Sequence, residues 1–142
     1  MSTQLLNGND LAKTRKAELK ANVALFQQAH GVTPTLAILR VGDDEAAAGY
    51  ARAIERNCKG VDIAFQAKRL PADATQAVVT DALQQLNNDP GVHGIMILEP
   101  LPAQIEANAL LLLLNPAKDV DGVHPLNAGR LSAQRPPYFT PA

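Results

Sequence analysis

The chain has 142 residues, of which 46% are hydrophobic and 19% are charged. This length is the size of one domain that can fold without disulfides or metal, and the composition excludes disorder, collagen and coiled coil. Thirteen basic and fourteen acidic residues give a net charge of -1, which excludes the basic footprint expected of a protein that binds nucleic acid or an anionic membrane. The one cysteine, Cys58, cannot form an internal disulfide, which fits a reducing, cytoplasmic setting.

The first two predicted elements are a helix and a buried strand. Good helix formers run from Asn9 to about His30, and Asn9 or Asp10 can cap the start. The continuous apolar run from Pro34 to Val41 is typical of a strand that is buried on both faces. The apolar stripe predicted for the helix consists of Ala12, Leu19, Val23 and Phe26.

A second helix and a second strand follow. Asp43 or Asp44 can cap a helix from about Glu45 to Lys59, and Gly60 is expected to end it. The weak alternation from Val61 to Ala67 predicts a strand. The apolar side of this helix comprises Ala47, Tyr50, Ile54 and Cys58, continued by Val61. Because Cys58 lies on that side, we interpret it as a small core residue rather than a reactive thiol.

Two more helices and a third strand complete the domain. Helical spacing of apolar residues covers Thr75 to Asn88, and a buried strand is predicted from His93 to Leu98. A last helix is predicted from about Ala103 to Leu114. Its leucine run, Leu110 to Leu114, is far shorter than the roughly 20 residues that cross a bilayer, so we interpret it as a buried helix face. The first residues lack the basic start and the long apolar stretch of a secretory signal, so we expect no export.

This order, a helix and then strand and helix three times, predicts the fold class. We expect an α/β, three-layer domain with a mainly parallel sheet and helices on both faces. Ligands in such folds bind beyond the carboxyl ends of the strands. The rule selects three segments: Gly42 to Asp44, Leu98 to Pro102, and Asn115 to Pro125.

The long loop from Asn115 to Leu131 contains Asp119, Asp121 and His124. Loops of this length usually have a function, although an aspartate-capped turn with a locally bonded His124 is the plain structural alternative. The loop lacks the later glycine and glutamate of an EF-hand, so no metal is predicted. Gly42 alone does not make a glycine-rich phosphate loop, so no nucleotide cofactor is predicted for this chain.

Three motifs together resemble a known family. They are Val41-Gly-Asp-Asp44 followed by Tyr50, Gly94-Ile-Met-Ile-Leu-Glu-Pro-Leu-Pro102, and Lys118-Asp-Val-Asp-Gly-Val-His-Pro-Leu-Asn127. They are similar to the amino-terminal, folate-binding domain of bifunctional methylenetetrahydrofolate dehydrogenase/methenyltetrahydrofolate cyclohydrolase. The resemblance runs from about Leu6 to Pro141, and its most specific part is the stretch from Lys118 to Leu131.

The resemblance implies a ligand and residues that bind it. In the family, a tetrahydrofolate with a one-carbon bridge is oxidised by hydride transfer to NADP, and water then opens the methenyl bridge. Tyr50 matches the tyrosine that stacks on the aminobenzoyl ring, and Asp121 matches the aspartate that accepts hydrogen bonds from the amino-pyrimidine edge. Gly122 and the backbone near Leu101 and Pro102 are expected to line the same pocket.

Three positions depart from the family pattern. The family lysine four residues after the tyrosine is Ile54, the serine three residues before it is Ala47, and the glutamine that ends the third strand is Leu98. Arg52 and Arg56 are turned away from the face that holds Ile54, so neither replaces the lysine. A positioned acid or base contributes typically about 100- to 10,000-fold in rate. We therefore expect no catalytic residue in this chain and no activity from the chain alone.

The resemblance also sets expectations for the whole protein. Residues 1–135 are expected to form the folate-binding domain, and residues 136–142 to begin a linker toward a Rossmann lobe that is absent from this chain. NADP would bind to that lobe in the intact family protein, which is expected to form a homodimer. A folate is the expected partner here. The alternative is a catalytically degenerate paralogue that acts as a binding or scaffold module.

Overall fold

A computed structural model describes residues 7–136 of the protein. Most of the predicted linker, residues 136–142, therefore lies outside the described residues. The described elements are α1 (Gly8–His30), β1 (Thr35–Val41), α2 (Glu45–Gly60), β2 (Ala64–Leu70), α3 (Gln76–Asn88), β3 (Gly94–Leu98), α4 (Ala107–Leu113) and α5 (Pro125–Ser132).

The three strands form one parallel sheet in the order β2-β1-β3. Leu36 of β1 pairs with Phe65 on one side and with Gly94 on the other. A helix follows each strand, because parallel strands need a crossover connection that returns the chain to the end of the sheet where the next strand begins. These helices pack on both faces of the sheet. The predicted α/β class with a parallel sheet is confirmed.

Side chains of β1 alternate between two apolar layers. Ala37, Leu39 and Val41 join one layer, which also contains the buried residues of α3 and α4. Ile38 belongs to the other layer, where it packs with Ala51 of α2 and with residues of β3. The strand is thus buried on both faces, as its continuous apolar sequence predicts.

The second strand begins three residues later than predicted. The backbone N–H groups of Val61 and Ile63 both donate to the carbonyl of Cys58, at 3.1 and 3.0 Å, and Asp62 adopts a left-handed φ of 61°. The helix also continues through Gly60 instead of stopping before it. A tight turn therefore occupies 61–63, and the predicted start of the strand at Val61 is wrong.

The last predicted helix is shorter than expected. Residues 103–106 form turns because the chain is tied there to the loop before α3 and to the first residue of that helix. The Gln104 amide donates to the carbonyl of Ala72 at 2.7 Å, and the Glu106 N–H donates to Gln76 Oε1 at 2.7 Å. α4 begins only at Ala107. A further helix, α5, follows within the segment predicted as a loop.

The leucine run is only partly buried. Leu110 and Leu114 are almost fully enclosed, whereas Leu112 is 66% exposed, so the prediction of a wholly buried face is wrong. Over the described residues, no helix combines the length and the apolar character needed to cross a membrane.

α1 contacts the domain through a small area. Of its predicted apolar stripe only Val23 is buried, whereas Leu19 and Phe26 are exposed. Polar contacts also join α1 to the end of α2 and the turn after it, including the exposed ion pair between Lys20 and Asp62 at 3.2 Å. The N-cap predicted for α1 at Asn9 or Asp10 is wrong, because the Asn7 side chain accepts the hydrogen bond that caps the start of the helix.

Cys58 is buried within α2, which confirms its interpretation as a core residue. Burial raises the pKa of the Cys58 thiol, because desolvation disfavours the thiolate. The thiol is therefore a poor nucleophile at neutral pH.

The leucine run provides a matched test of this core. Leu110→Ala should lower the free energy of unfolding by about 2 to 5 kcal/mol, because it opens a cavity beside α3. Leu112→Ala, on the same helix, should change it by less than about 0.5 kcal/mol. Urea unfolding of both variants measures the difference, and equal effects would contradict this packing.

Candidate functional site

A cleft of about 390 Å³ opens at the carboxyl edge of the sheet. From β1 the chain crosses to β2, which pairs with one edge of β1, and it then returns to β3, which pairs with the other edge of β1. Such a reversal of strand order leaves a crevice where ligands bind in open α/β folds. The cleft is lined by Tyr50, Met96, Ile97, Leu98, Glu99, Leu101, Ala107, Leu111, Asp121 and Val123.

Four of the sequence-predicted positions meet in this cleft: Tyr50, Leu98, Leu101 and Asp121. They come from three distant parts of the chain: the first half of α2, the end of β3 with the turn after it, and the long loop. Tyr50 is 52% exposed, which leaves its ring accessible to a ligand. The Asp44 side chain orients the start of α2, because its carboxylate accepts from the Ala47 N–H at 2.7 Å.

Two of the positions that depart from the family pattern lie outside the cleft lining. Ile54 is partly buried and packs against the apolar cluster that contains Leu98 and Met96. Ala47 is buried. Neither side chain is among those that line the cleft. Apolar contacts therefore fill the place behind Leu98.

Pro102 and Gly122 stand beside the cleft. Pro102 lines a neighbouring depression of about 210 Å³ together with Gly42 and other residues. Gly122 is buried and has a φ of 71°, a conformation that glycine adopts without a steric penalty. It turns the loop directly after Asp121.

A buried carboxylate organises the loop. Asp119 has no exposed surface. Its two oxygens accept hydrogen bonds from the N–H groups of Val123 and His124, at 3.2 and 2.9 Å, and from the Asn127 amide at 2.9 Å. These bonds fold the chain back around Gly122. Of the two carboxylates in the motif, Asp119 thus supports the loop, and Asp121 faces the cleft.

The loop is also docked on the rest of the domain. The Lys118 ammonium donates to the carbonyls of Leu86 and Asp89 at the end of α3, at 3.1 and 2.7 Å, which satisfies acceptors that a helix end leaves unpaired. The Lys118 carbonyl accepts from the Ile95 N–H at 2.7 Å. This approach needs a glycine at Gly94, because a Cβ there would lie 2.7 Å from a methyl of Val120.

His124 has a structural role at the start of α5. Its Nδ1 accepts from the Leu126 N–H at 3.0 Å, and Pro125 occupies the first helical position, where its missing N–H costs nothing. The structural alternative in which His124 makes local hydrogen bonds is thus confirmed. Within residues 7–136, no three His, Cys, Asp or Glu side chains group as metal ligands.

Sequence reasoning did not identify Glu99 as a lining residue. It follows the carboxyl end of β3 directly, so its position within the selected segment from Leu98 to Pro102 was the available signal. The described lining includes two carboxylates, Glu99 and Asp121, and no basic side chain. An approaching ligand therefore meets apolar walls, hydrogen-bond acceptors and the Tyr50 phenol.

The fold and the cleft define an open α/β domain with a cleft at the strand switch point, where ligands bind in folds of this class. Comparison with known proteins specifies the family. Residues 6–121 match the family described as tetrahydrofolate dehydrogenase/cyclohydrolase, catalytic domain. The chain belongs to this family.

Relatives extend the match over nearly the whole chain. The bifunctional protein FolD of Herpetosiphon aurantiacus is 45% identical over 93% of this chain and 46% of its own length. Solved structures that cover 99% of the chain include the Campylobacter jejuni FolD dehydrogenase/cyclohydrolase, with a TM-score of 0.93, 33% identity and 49% of its length covered. Another is the Trypanosoma brucei FolD complexed with NADP and an inhibitor, with a TM-score of 0.91, 28% identity and 48% of its length covered. The chain spans about half the length of these relatives.

Proposed function

We propose that this chain is a folate-binding lobe of one-carbon metabolism that recognises its ligand without transforming it. The observation that carries the proposal is the convergence of Tyr50, Leu98, Leu101 and Asp121 on one cleft. The family resemblance assigned a ligand contact to three of these positions, and to Leu98 the place of a lost polar residue. Membership of the tetrahydrofolate dehydrogenase/cyclohydrolase family supports a folate as the ligand.

The chemistry of the cleft suits a reduced folate. The pterin carries an amino-pyrimidine edge rich in donors, and the Asp121 carboxylate is shaped to accept two of them in charge-assisted hydrogen bonds. The flat Tyr50 ring offers an amphipathic surface for the aminobenzoyl group. Leu98 and Leu101 supply apolar contacts along the ligand. Gly122 supports this pocket by turning the chain beside Asp121.

The described lining of the same cleft contains no basic side chain that could take the role of the family lysine. Ile54 takes the place of the family lysine and packs with Leu98 instead of a polar partner. A lysine, glutamine or serine left alone in this apolar cluster would lose hydration without a compensating bond. The joint presence of Ala47, Ile54 and Leu98 thus favours a cleft that binds and does not catalyse.

We assign hydride transfer to the intact relatives and not to this chain. The Trypanosoma brucei relative was solved with NADP, and this chain spans about half of that protein. We propose that NADP binds to the other lobe of such proteins and that this chain alone binds no nicotinamide cofactor.

A catalytically degenerate scaffold module whose cleft does not bind folate is the second candidate, favoured by the apolar packing around Leu98. It differs from the first in what occupies the cleft. A scaffold that no longer recognises folate has no need of a carboxylate at Asp121, whereas a folate-binding lobe depends on it.

Titration with 5-formyltetrahydrofolate, a stable reduced folate, tests recognition. Asp121→Asn keeps the shape of the side chain but loses the charge and one acceptor, so binding should weaken by about 1.5 to 3 kcal/mol. Isothermal titration calorimetry measures this difference. The control is Asp81→Asn, an exposed position on α3, which should leave affinity unchanged. Absence of binding to the unaltered chain, or equal affinity in both variants, would contradict folate recognition.

Restoring the three polar side chains of the family pattern tests whether their replacement explains the expected inactivity. Ile54→Lys alone should destabilise the fold, because the ammonium would meet apolar neighbours. Adding Leu98→Gln and Ala47→Ser should recover part of the stability and raise methenyltetrahydrofolate hydrolysis by about 100-fold or more. Loss of the methenyl absorbance measures the rate.

Arg56→Lys serves as the control for this experiment, because it introduces a lysine at an exposed position on the same helix. It should hydrolyse no faster than the unaltered chain. A triple variant that folds and binds 5-formyltetrahydrofolate, yet hydrolyses at the unaltered rate, would show that these positions do not separate the chain from its active relatives.

A further inference from the structure

A second depression lies on the flank of α2 opposite the cleft. It measures about 210 Å³ and is lined by Arg40, Ala48, Ala51, Arg52 and Arg69. None of these residues lines the cleft. Tyr50 and Arg52, two positions apart on α2, point to different sides of the helix, so α2 separates the two depressions.

The sheet brings two of the arginines together. Arg40 of β1 and Arg69 of β2 are register partners, and partners on parallel strands project from the same face. α2 crosses that face and contributes Arg52, while Ala48 and Ala51 leave space between the helix and the strands. The Arg52 guanidinium extends back along the helix, with Nη2 3.7 Å from the position that a Cβ would take at Gly49.

The three guanidinium groups have almost no partners. Within residues 7–136, the ion pairs involve Arg15, Lys20 and Lys59 and none of these arginines. The hydrogen bond from Arg40 Nη1 to the Asp44 carbonyl, at 3.4 Å, is the only one that the described residues give to the three side chains.

Three guanidinium groups that face one depression without counter-ions lower the stability of the fold. Like charges directly opposite on neighbouring strands repel, and here a third positive charge faces the same depression. The chain as a whole carries a net charge of -1, so the concentration of positive charge is local. An anion in the depression would remove the repulsion and use the free N–H donors.

We propose that this depression binds a phosphate-class oxyanion, either free or as a group on a larger metabolite. Guanidinium groups present forked donors that match the oxygens of phosphate, and three positive charges suit a dianion. The depression, at about 210 Å³, has room for a phosphate group with water. The site is independent of the proposed folate cleft.

Inorganic phosphate is the probe for this site. Calorimetric titration of the full chain, in chloride buffer at constant ionic strength, should show saturable binding. Arg40→Gln and Arg69→Gln should each weaken it about tenfold or more, the loss expected when a hydrogen-bonded charge is removed. Arg56→Gln, which neutralises an arginine outside the depression, should bind phosphate as the unaltered chain does.

Two further measurements, of citrate binding and of melting temperature, complete the test. Citrate at the same ionic strength should bind more weakly than phosphate, and the reverse would identify a carboxylate ligand and overturn the assignment. Phosphate should raise the melting temperature of the unaltered chain and of Arg56→Gln, but not that of Arg40→Gln or Arg69→Gln. Absence of saturable binding, or equal binding by all three arginine variants, would refute the site.

Discussion

The architecture of the site depends on one buried carboxylate. Asp119 is fully enclosed and accepts three hydrogen bonds from a turn that would otherwise present unpaired donors to the interior. A buried charge is tolerated only when it is paired or hydrogen-bonded in this way. Because Asp119 draws the chain around Gly122, Asp121 lies on the cleft and His124 caps the start of α5.

The same constraint explains why the motif from Lys118 to Asn127 contains residues that support the loop as well as residues that line the cleft. Lys118, Asp119 and Asn127 point into the domain and bond to helix ends, backbone carbonyls and each other. Asp121 and Val123 point to the cleft. Opposite them, α2 presents Tyr50, and the floor comes from β3. The cleft is thus built on a hydrogen-bonded frame, whereas Ile54, which takes the place of the family lysine, packs in the apolar layer with Leu98.

Much of the fold could be predicted from apolar periodicity. The long amphipathic or buried segments are correct in type, including β1 and α3, because burial determines their pattern. The errors lie where specific contacts override local preference. Cys58 ties down the turn before β2, Gln76 and Gln104 delay the start of α4, and no periodicity signals that α1 leaves its apolar residues exposed.

The site was predictable only in part. Tyr50, Leu98, Leu101 and Asp121 could be identified from the motifs and do share one cleft. The supporting role of Asp119 could not, since two aspartates in one loop look alike until their burial is known. The arginine depression was equally hidden, because its three members are distant in sequence and meet only through strand register and helix crossing.

Amide hydrogen exchange in Asp119→Asn is the most direct test of this account. The substitution replaces an acceptor oxygen with a donor amide, so the loop around Gly122 should open locally. Exchange at Val123 and His124 should accelerate by about tenfold or more relative to the unaltered chain, while the amides of β1 change far less and Asp121→Asn leaves both loop amides protected. Unchanged protection of Val123 and His124 in Asp119→Asn would contradict the claim that this carboxylate holds the site together.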